Sequence, residues 1–292
     1  LFSENSFTSV PPEAGVTYKS NKMVKARTVI ILLTMLSIVI LLISGGCKKD
    51  SVSSAKTMTY NLKFKSVLGI TGTVTFTEAG GNTTKIDISL SGKASDLEGS
   101  HPASLCKNSE VEGGDEIVAL NAVNATGKSS TTVPMSYSEL VGYDGYIKVL
   151  KSSTEPNSIL AQGDIGGNLI LATNKTYTLN IIDPYKVSGT ALFEKRVNGN
   201  TLVTISLTGT IAGQSYPVTI NYGTILSGEL YIVKTLNDVD GTTGKGYTNI
   251  RTLNSGVAKT YDGWMVYLGY INIYQTSVSL ENIISQGNIG SN

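Results

Sequence analysis

From Thr57 onward the chain alternates apolar and polar residues with a period of two, in short runs broken by glycine and asparagine. Successive side chains of a strand point to opposite faces. The run Val203-Thr204-Ile205-Ser206-Leu207-Thr208 therefore predicts a strand with Val203, Ile205 and Leu207 in a core. Thr204, Ser206 and Thr208 would face water. Gly80-Gly81-Asn82 and Asn198-Gly199-Asn200 fall between such runs, where hairpin turns need positive φ. Many short strands with turn signals predict an all-β, antiparallel sandwich or barrel. Helix is expected only as a short turn around Ser136 to Leu140.

The pattern occurs twice. Gly145-Tyr146-Ile147-Lys148-Val149 returns as Gly269-Tyr270-Ile271-Asn272-Ile273. At the same spacing, Gln162-Gly163-Asp164-Ile165-Gly166 returns as Gln286-Gly287-Asn288-Ile289-Gly290. Upstream, Gly72-Thr73-Val74 matches Gly189-Thr190-Ala191, and Leu120-Asn121-Ala122-Val123 matches Leu236-Asn237-Asp238-Val239. Self-similarity at this period marks duplicated structural units. The expected organisation is two tandem antiparallel Greek-key β-sandwich repeats, at 58–170 and 171–292.

The N-terminal pattern differs. Starting at Met23, Lys25 and Arg27 precede an apolar stretch from Thr28 to Ile43, and Ser44-Gly45-Gly46 then lead to Cys47. A run of about 16 apolar residues is short for a membrane span and suits the apolar region of a signal peptide. Residues 23–46 are therefore expected to be a signal peptide, and 1–22 an upstream extension from a mis-called start. Small residues ending in Cys resemble the lipobox of bacterial lipoproteins, although Ser44 departs from the usual aliphatic residue. In that family the cysteine thiol receives diacylglycerol, and the amine freed by cleavage is acylated. Several chains on one residue give durable anchoring. Cys47-Lys48-Lys49-Asp50 further resembles the start of Bacteroidetes-type lipoproteins, which implies an outer-membrane location facing the periplasm or the cell surface. Residues 47–57 would be a tether reaching at most about 35 Å.

Composition narrows the chemistry. Basic and acidic residues number 23 and 22, for a formal charge of +1. Loss of Lys19, Lys22, Lys25, Arg27, Glu4 and Glu13 with the leader leaves about −1. No basic patch suits a phosphate backbone, so nucleic acid is not an expected partner. With Cys47 acylated, Cys106 has no intramolecular disulfide partner. His101 is the only histidine, so a histidine-rich metal site cannot form within one chain.

The repeated blocks resemble the CHRD domain, a chordin-type unit related in fold to the copper/zinc superoxide dismutase sandwich. The resemblance rests on the Gly-Thr strand starts and on His101-Pro102-Ala103-Ser104-Leu105-Cys106 with its echo Tyr216-Pro217-Val218-Thr219-Ile220-Asn221. It rests also on the closing Gly-Tyr-Ile and Gln-Gly-(Asp/Asn)-Ile-Gly blocks. Where that family commonly carries histidines, this chain has Ser104, Cys106 and Leu150 in one copy and Thr219, Asn221 and Tyr274 in the other. Copper redox chemistry needs imidazole ligands, so superoxide dismutation is not expected, nor is any cofactor.

Other constellations are weaker. His101 with Cys106 offers two donors, but a loop histidine and a core thiol explain them more simply. Asp238-Val239-Asp240-Gly241 reads as a hairpin turn rather than a calcium loop, because no bidentate Glu follows. Tyr143, Tyr146, Tyr261, Tyr267, Tyr270 and Tyr274, with Trp264, crowd the late strands. Exposed, they would form a glycan- or protein-binding row; alternately buried, they would fill a core. The resulting expectation is a non-enzymatic, lipid-anchored envelope protein whose partners are the membrane and an envelope protein or glycan. The alternative is a metal-handling or dismutase-like protein with a site rebuilt from Cys106, His101 and carboxylates.

Overall fold

The computed structural model describes residues 54–226, 230–276 and 280–292. The signal peptide at 23–46, the upstream extension, Cys47 and most of the tether lie outside the described residues.

The described chain is all-β and antiparallel. Its first eight strands are β1 (Thr57–Phe64), β2 (Thr71–Glu78), β3 (Thr84–Ser91), β4 (His101–Lys107), β5 (Glu116–Val123), β6 (Lys128–Val133), β7 (Asp144–Leu150) and β8 (Ile159–Gly166). They form one sheet in the order β5-β4-β7-β8-β1-β2-β3-β6. The next eight are β9 (Ile170–Ile181), β10 (Ser188–Arg196), β11 (Thr201–Thr208), β12 (Ser215–Tyr222), β13 (Ile232–Asp240), β14 (Lys245–Ile250), β15 (Leu268–Tyr274) and β16 (Ile283–Gly290). They close into a barrel, β10-β11-β14-β13-β12-β15-β16-β9. Strand for strand the two orders are the same.

Alternation builds each core. Val203, Ile205 and Leu207 are buried with Phe193, Ile220 and Ile271, while Thr204 and Ser206 are partly buried and Thr208 is exposed. Val74, Phe76, Ile86, Ile88 and Leu105 do the same work in the first sheet. A short helix precedes β7 and another precedes β15. In α1 (Tyr137–Gly142), Ser136 and Glu139 form a reciprocal capping box, and Leu140 plugs the core. In α2 (Tyr261–Met265), Thr260 caps Gly263, and Trp264 packs edge-on against Phe193. The sequence pattern reveals α1 but not α2, whose Tyr-Asp-Gly-Trp-Met is too short to show a period.

Ring closure uses side chains. β5 and β6 are the two edge strands of the first sheet. Asn121 crosses this seam: its backbone N–H donates to Thr131 Oγ1 and its amide to the Ser130 carbonyl. Asn237 repeats both bonds with Thr248 and Tyr247, where the second ring is completed by one pair, Asp240 with Lys245. The repeated Leu-Asn-x-Val block thus marks a staple.

The repeated Gln-Gly-x-Ile-Gly block marks a close approach. A Cβ on Gly163 would stand 2.2 Å from the Asn61 carbonyl oxygen, and one on Gly287 2.0 Å from that of Thr178. Only glycine lets the eighth strand of each ring lie against the first. Gly287→Ala is therefore expected to destabilise the protein by about 3 kcal/mol. Gly142→Ala, with open space around its Cβ, should change little. Denaturant unfolding of the two variants measures the contrast.

Candidate functional site

Strands β4, β7 and β8 carry a second buried face, outside the apolar core. On β4, Ala103 and Leu105 point into the core, which sends Ser104 and Cys106 to the other side; both are nonetheless buried. The register aligns Cys106 with Tyr146 and Tyr146 with Asp164. One row along, Ser104 meets Lys148 and Lys148 meets Gln162. The equivalent rows in the second barrel are Asn221, Tyr270, Asn288 and Thr219, Asn272, Gln286.

The segment between β4 and β5 covers the first of these faces. The Glu110 N–H donates to Asp164 Oδ1 at 2.8 Å, Gln162 donates to the Glu110 carbonyl, and the Tyr146 hydroxyl to that of Gly114. In the second barrel the Ile225 N–H donates to Asn288 Oδ1 at 3.2 Å. The varying residue of Gln-Gly-(Asp/Asn)-Ile-Gly thus holds the covering loop in both copies.

The residues at the family's histidine positions behave differently in the two copies. In the second barrel Thr219 and Tyr274 share a hydroxyl–hydroxyl bond of 3.1 Å. The Asn221 amide donates to Thr219 Oγ1, and the Asn272 amide to the Tyr274 hydroxyl. All four are buried. In the first barrel only Ser104 and Cys106 meet, at 3.5 Å, and the half-buried Leu150 offers no polar atom. Burial first, then the Cys106 thiol, push the Tyr146 hydroxyl up to about 12, so it remains protonated.

His101 is not the loop residue that Pro102 suggests. It opens β4, is buried, and lies with Nδ1 2.7 Å from the Lys151 carbonyl oxygen. A carbonyl only accepts, so Nδ1 carries the proton. Five residues along one extended strand separate it from Cys106 by about 16 Å, too far for a shared ion. Among the described residues no group of three or more His, Cys, Asp or Glu is placed to hold a metal. The copper or zinc implied by the family resemblance does not fit these residues: the donors are hydroxyls and amides already bonded to one another, with one thiol. The aromatic row is also largely interior. Tyr146, Tyr261, Trp264, Tyr270 and Tyr274 are buried, while Tyr143 and Tyr267 are half-buried.

A charged cluster between the barrels has no forerunner in the sequence reading. Arg196, at the end of β10, is wholly buried; its Nη1 donates to the Asn168 carbonyl at 2.6 Å and lies 3.6 Å from Asp164 Oδ2. Glu112 accepts the Asn249 N–H across the same junction at 2.8 Å, and Asp144 accepts from Asn198 and Asn200. Arg251 pairs with Asp144 at 3.3 Å. Burial drives Asp164 up to about 7, with its loop N–H and Arg196 opposing the shift. Burial likewise raises Glu110 and lowers Arg196. The available signal was the exchange of a carboxylate for an amide between the repeats, Asp164 against Asn288.

No family model matches the chain, and no curated protein or solved structure was found to match it.

Removing the Tyr274 hydroxyl leaves both Thr219 and Asn272 short of a partner in a buried place. Tyr274→Phe is expected to destabilise the protein by about 1–3 kcal/mol in denaturant titration, with the fold retained by circular dichroism.

Proposed function

We propose that the protein is a non-enzymatic, lipid-anchored module of a bacterial cell envelope, held at the outer membrane through Cys47. Its two halves are read as CHRD-like Greek-key sandwich repeats that have lost the family's metal ligands. The observation that carries the non-enzymatic reading is the Thr219–Asn221–Asn272–Tyr274 network. Its hydroxyls and amide N–H groups bond to one another, at the positions where the resembled family offers histidines, and none forms a nucleophile–base pair. The same strand order in both halves supports two copies of one unit. The apolar stretch and small residues before Cys47 support acylation. In this reading the barrels present a polar surface on a short tether, and the partner is an envelope protein or a glycan.

Expression in a lipoprotein-processing bacterium tests the anchor. The protein should gain the mass of a diacylglyceryl group and an acyl chain on Cys47, and should partition into detergent. Cys47→Ser should carry neither and stay in the aqueous phase. An unacylated wild-type protein overturns the reading. Elemental analysis after growth with copper and zinc tests the other half: stoichiometric metal that disappears in Cys106→Ser would identify a metal-handling protein instead.

A further inference from the structure

Each barrel builds the same platform where its eighth strand stops. The Asn168 amide donates to the carbonyls of Asn108 and Gly145, and Asn292 repeats both bonds with Gly223 and Gly269. The Gly167 N–H donates to the Tyr143 carbonyl, and the Ser291 N–H to that of Tyr267. In the first barrel this platform is covered by the second: Asp164 meets Arg196, Glu112 takes the Asn249 N–H, and Asp144 meets Arg251. In the second barrel it lies open. The strand registers put Leu268 at the position of Asp144 and Asn288 at that of Asp164. At the rim, Tyr222 and Tyr231 stand where the first barrel has the Lys107–Asp115 ion pair. Every one of these charges is gone, and Leu226 beside them is 91% exposed.

The receiving side shows the matching exchange. In the second barrel the junction is taken by Arg196, Asn198, Asn200, Asn249 and Arg251. The same registers and the same turn bond place Ala79, Gly81, Thr83, Thr132 and Pro134 at these positions in the first barrel. None is charged, and all but Thr83 are exposed.

We propose that a second copy of the chain completes this arrangement: the open platform of the second barrel docks on the Ala79–Pro134 end of another chain's first barrel, reusing the junction that joins the barrels within one chain. Uncharged meets uncharged between chains, as acid meets base within the chain. Crossed pairings are costly. An apolar platform set on Arg196 would bury a guanidinium without a carboxylate, and an acidic one set on Ala79 would bury carboxylates without a cation. Covering Leu226, Leu268 and the two tyrosines removes apolar area from water. The two faces lie on different barrels, so the contact is heterologous and copies add head to tail, in a row or a ring. The assembly is independent of acylation at Cys47.

Sedimentation velocity of the full chain in a mild non-ionic detergent tests it. The average protein mass should rise at least twofold between about 1 and 100 µM. Leu268→Asp, which restores the residue of the first barrel, should weaken association at least about tenfold. Adding Pro134→Arg to it recreates the Asp144–Arg251 pairing across chains and should recover the association. A wild-type chain that stays single, an association untouched by Leu268→Asp, or a double variant that stays single overturns the proposal; the last would mean that the platform meets something other than the Pro134 end. If either variant fails to fold, hydrogen exchange on the wild type decides. Protection at the Leu226 and Asn82 amides should rise together with concentration while Ile88 stays constant, and a rise at Leu226 alone refutes head-to-tail docking.

Discussion

Each barrel has strands buried on both faces, and that constraint organises much of the rest. β4 and β12 give one face to the apolar core and the other to a polar layer that must itself be shielded. Such a layer is tolerable only if its hydroxyls, amides and carboxyls find partners. Asp164 Oδ1 in one copy and Asn288 Oδ1 in the other take a backbone N–H of the covering loop. The glycine before each acid or amide lets that strand press against the first strand of its ring.

The two copies satisfy this layer by different chemistry. The second uses amides and hydroxyls, whose bonds are insensitive to pH and are costly mainly when broken. The first instead places a thiol, Cys106, and a carboxyl, Asp164, in this layer, and it opens toward the charged groups of its neighbour. A buried guanidinium beside a buried carboxyl is weak evidence for stability, since desolvation competes with the Coulomb gain. Here it spans the junction, with Arg196 of the second barrel 3.6 Å from Asp164 of the first.

The period-two pattern made the strands legible, because burial of alternate residues is written directly in Val203 to Thr208. The glycine and asparagine turns were legible for the same local reason. Ring closure was not, since the Asn121 and Asn237 staples act between strands and leave no period. Of the six positions marked by family resemblance, Thr219, Asn221 and Tyr274 meet in space and Ser104 meets Cys106. Leu150 stands apart, having lost the polar atom that Tyr274 keeps. Arg196 was invisible as a junction residue because a lone arginine in a hairpin reads as solvated. Its burial depends on the other barrel, which no local pattern encodes.

The staples have a mechanical meaning. A continuous ring of backbone ladders has no end strand from which peeling can begin. These rings each have a place where two strands joined by a tight turn, the nearest neighbours in sequence, are the least joined by backbone. Asn121 and Asn237 act there as buttons on an otherwise open placket. A pull on the sheet, or a denaturant working along it, would enter by undoing a few side chains, Asn121, Ser129 and Thr131 in the first ring, rather than a row of peptide groups.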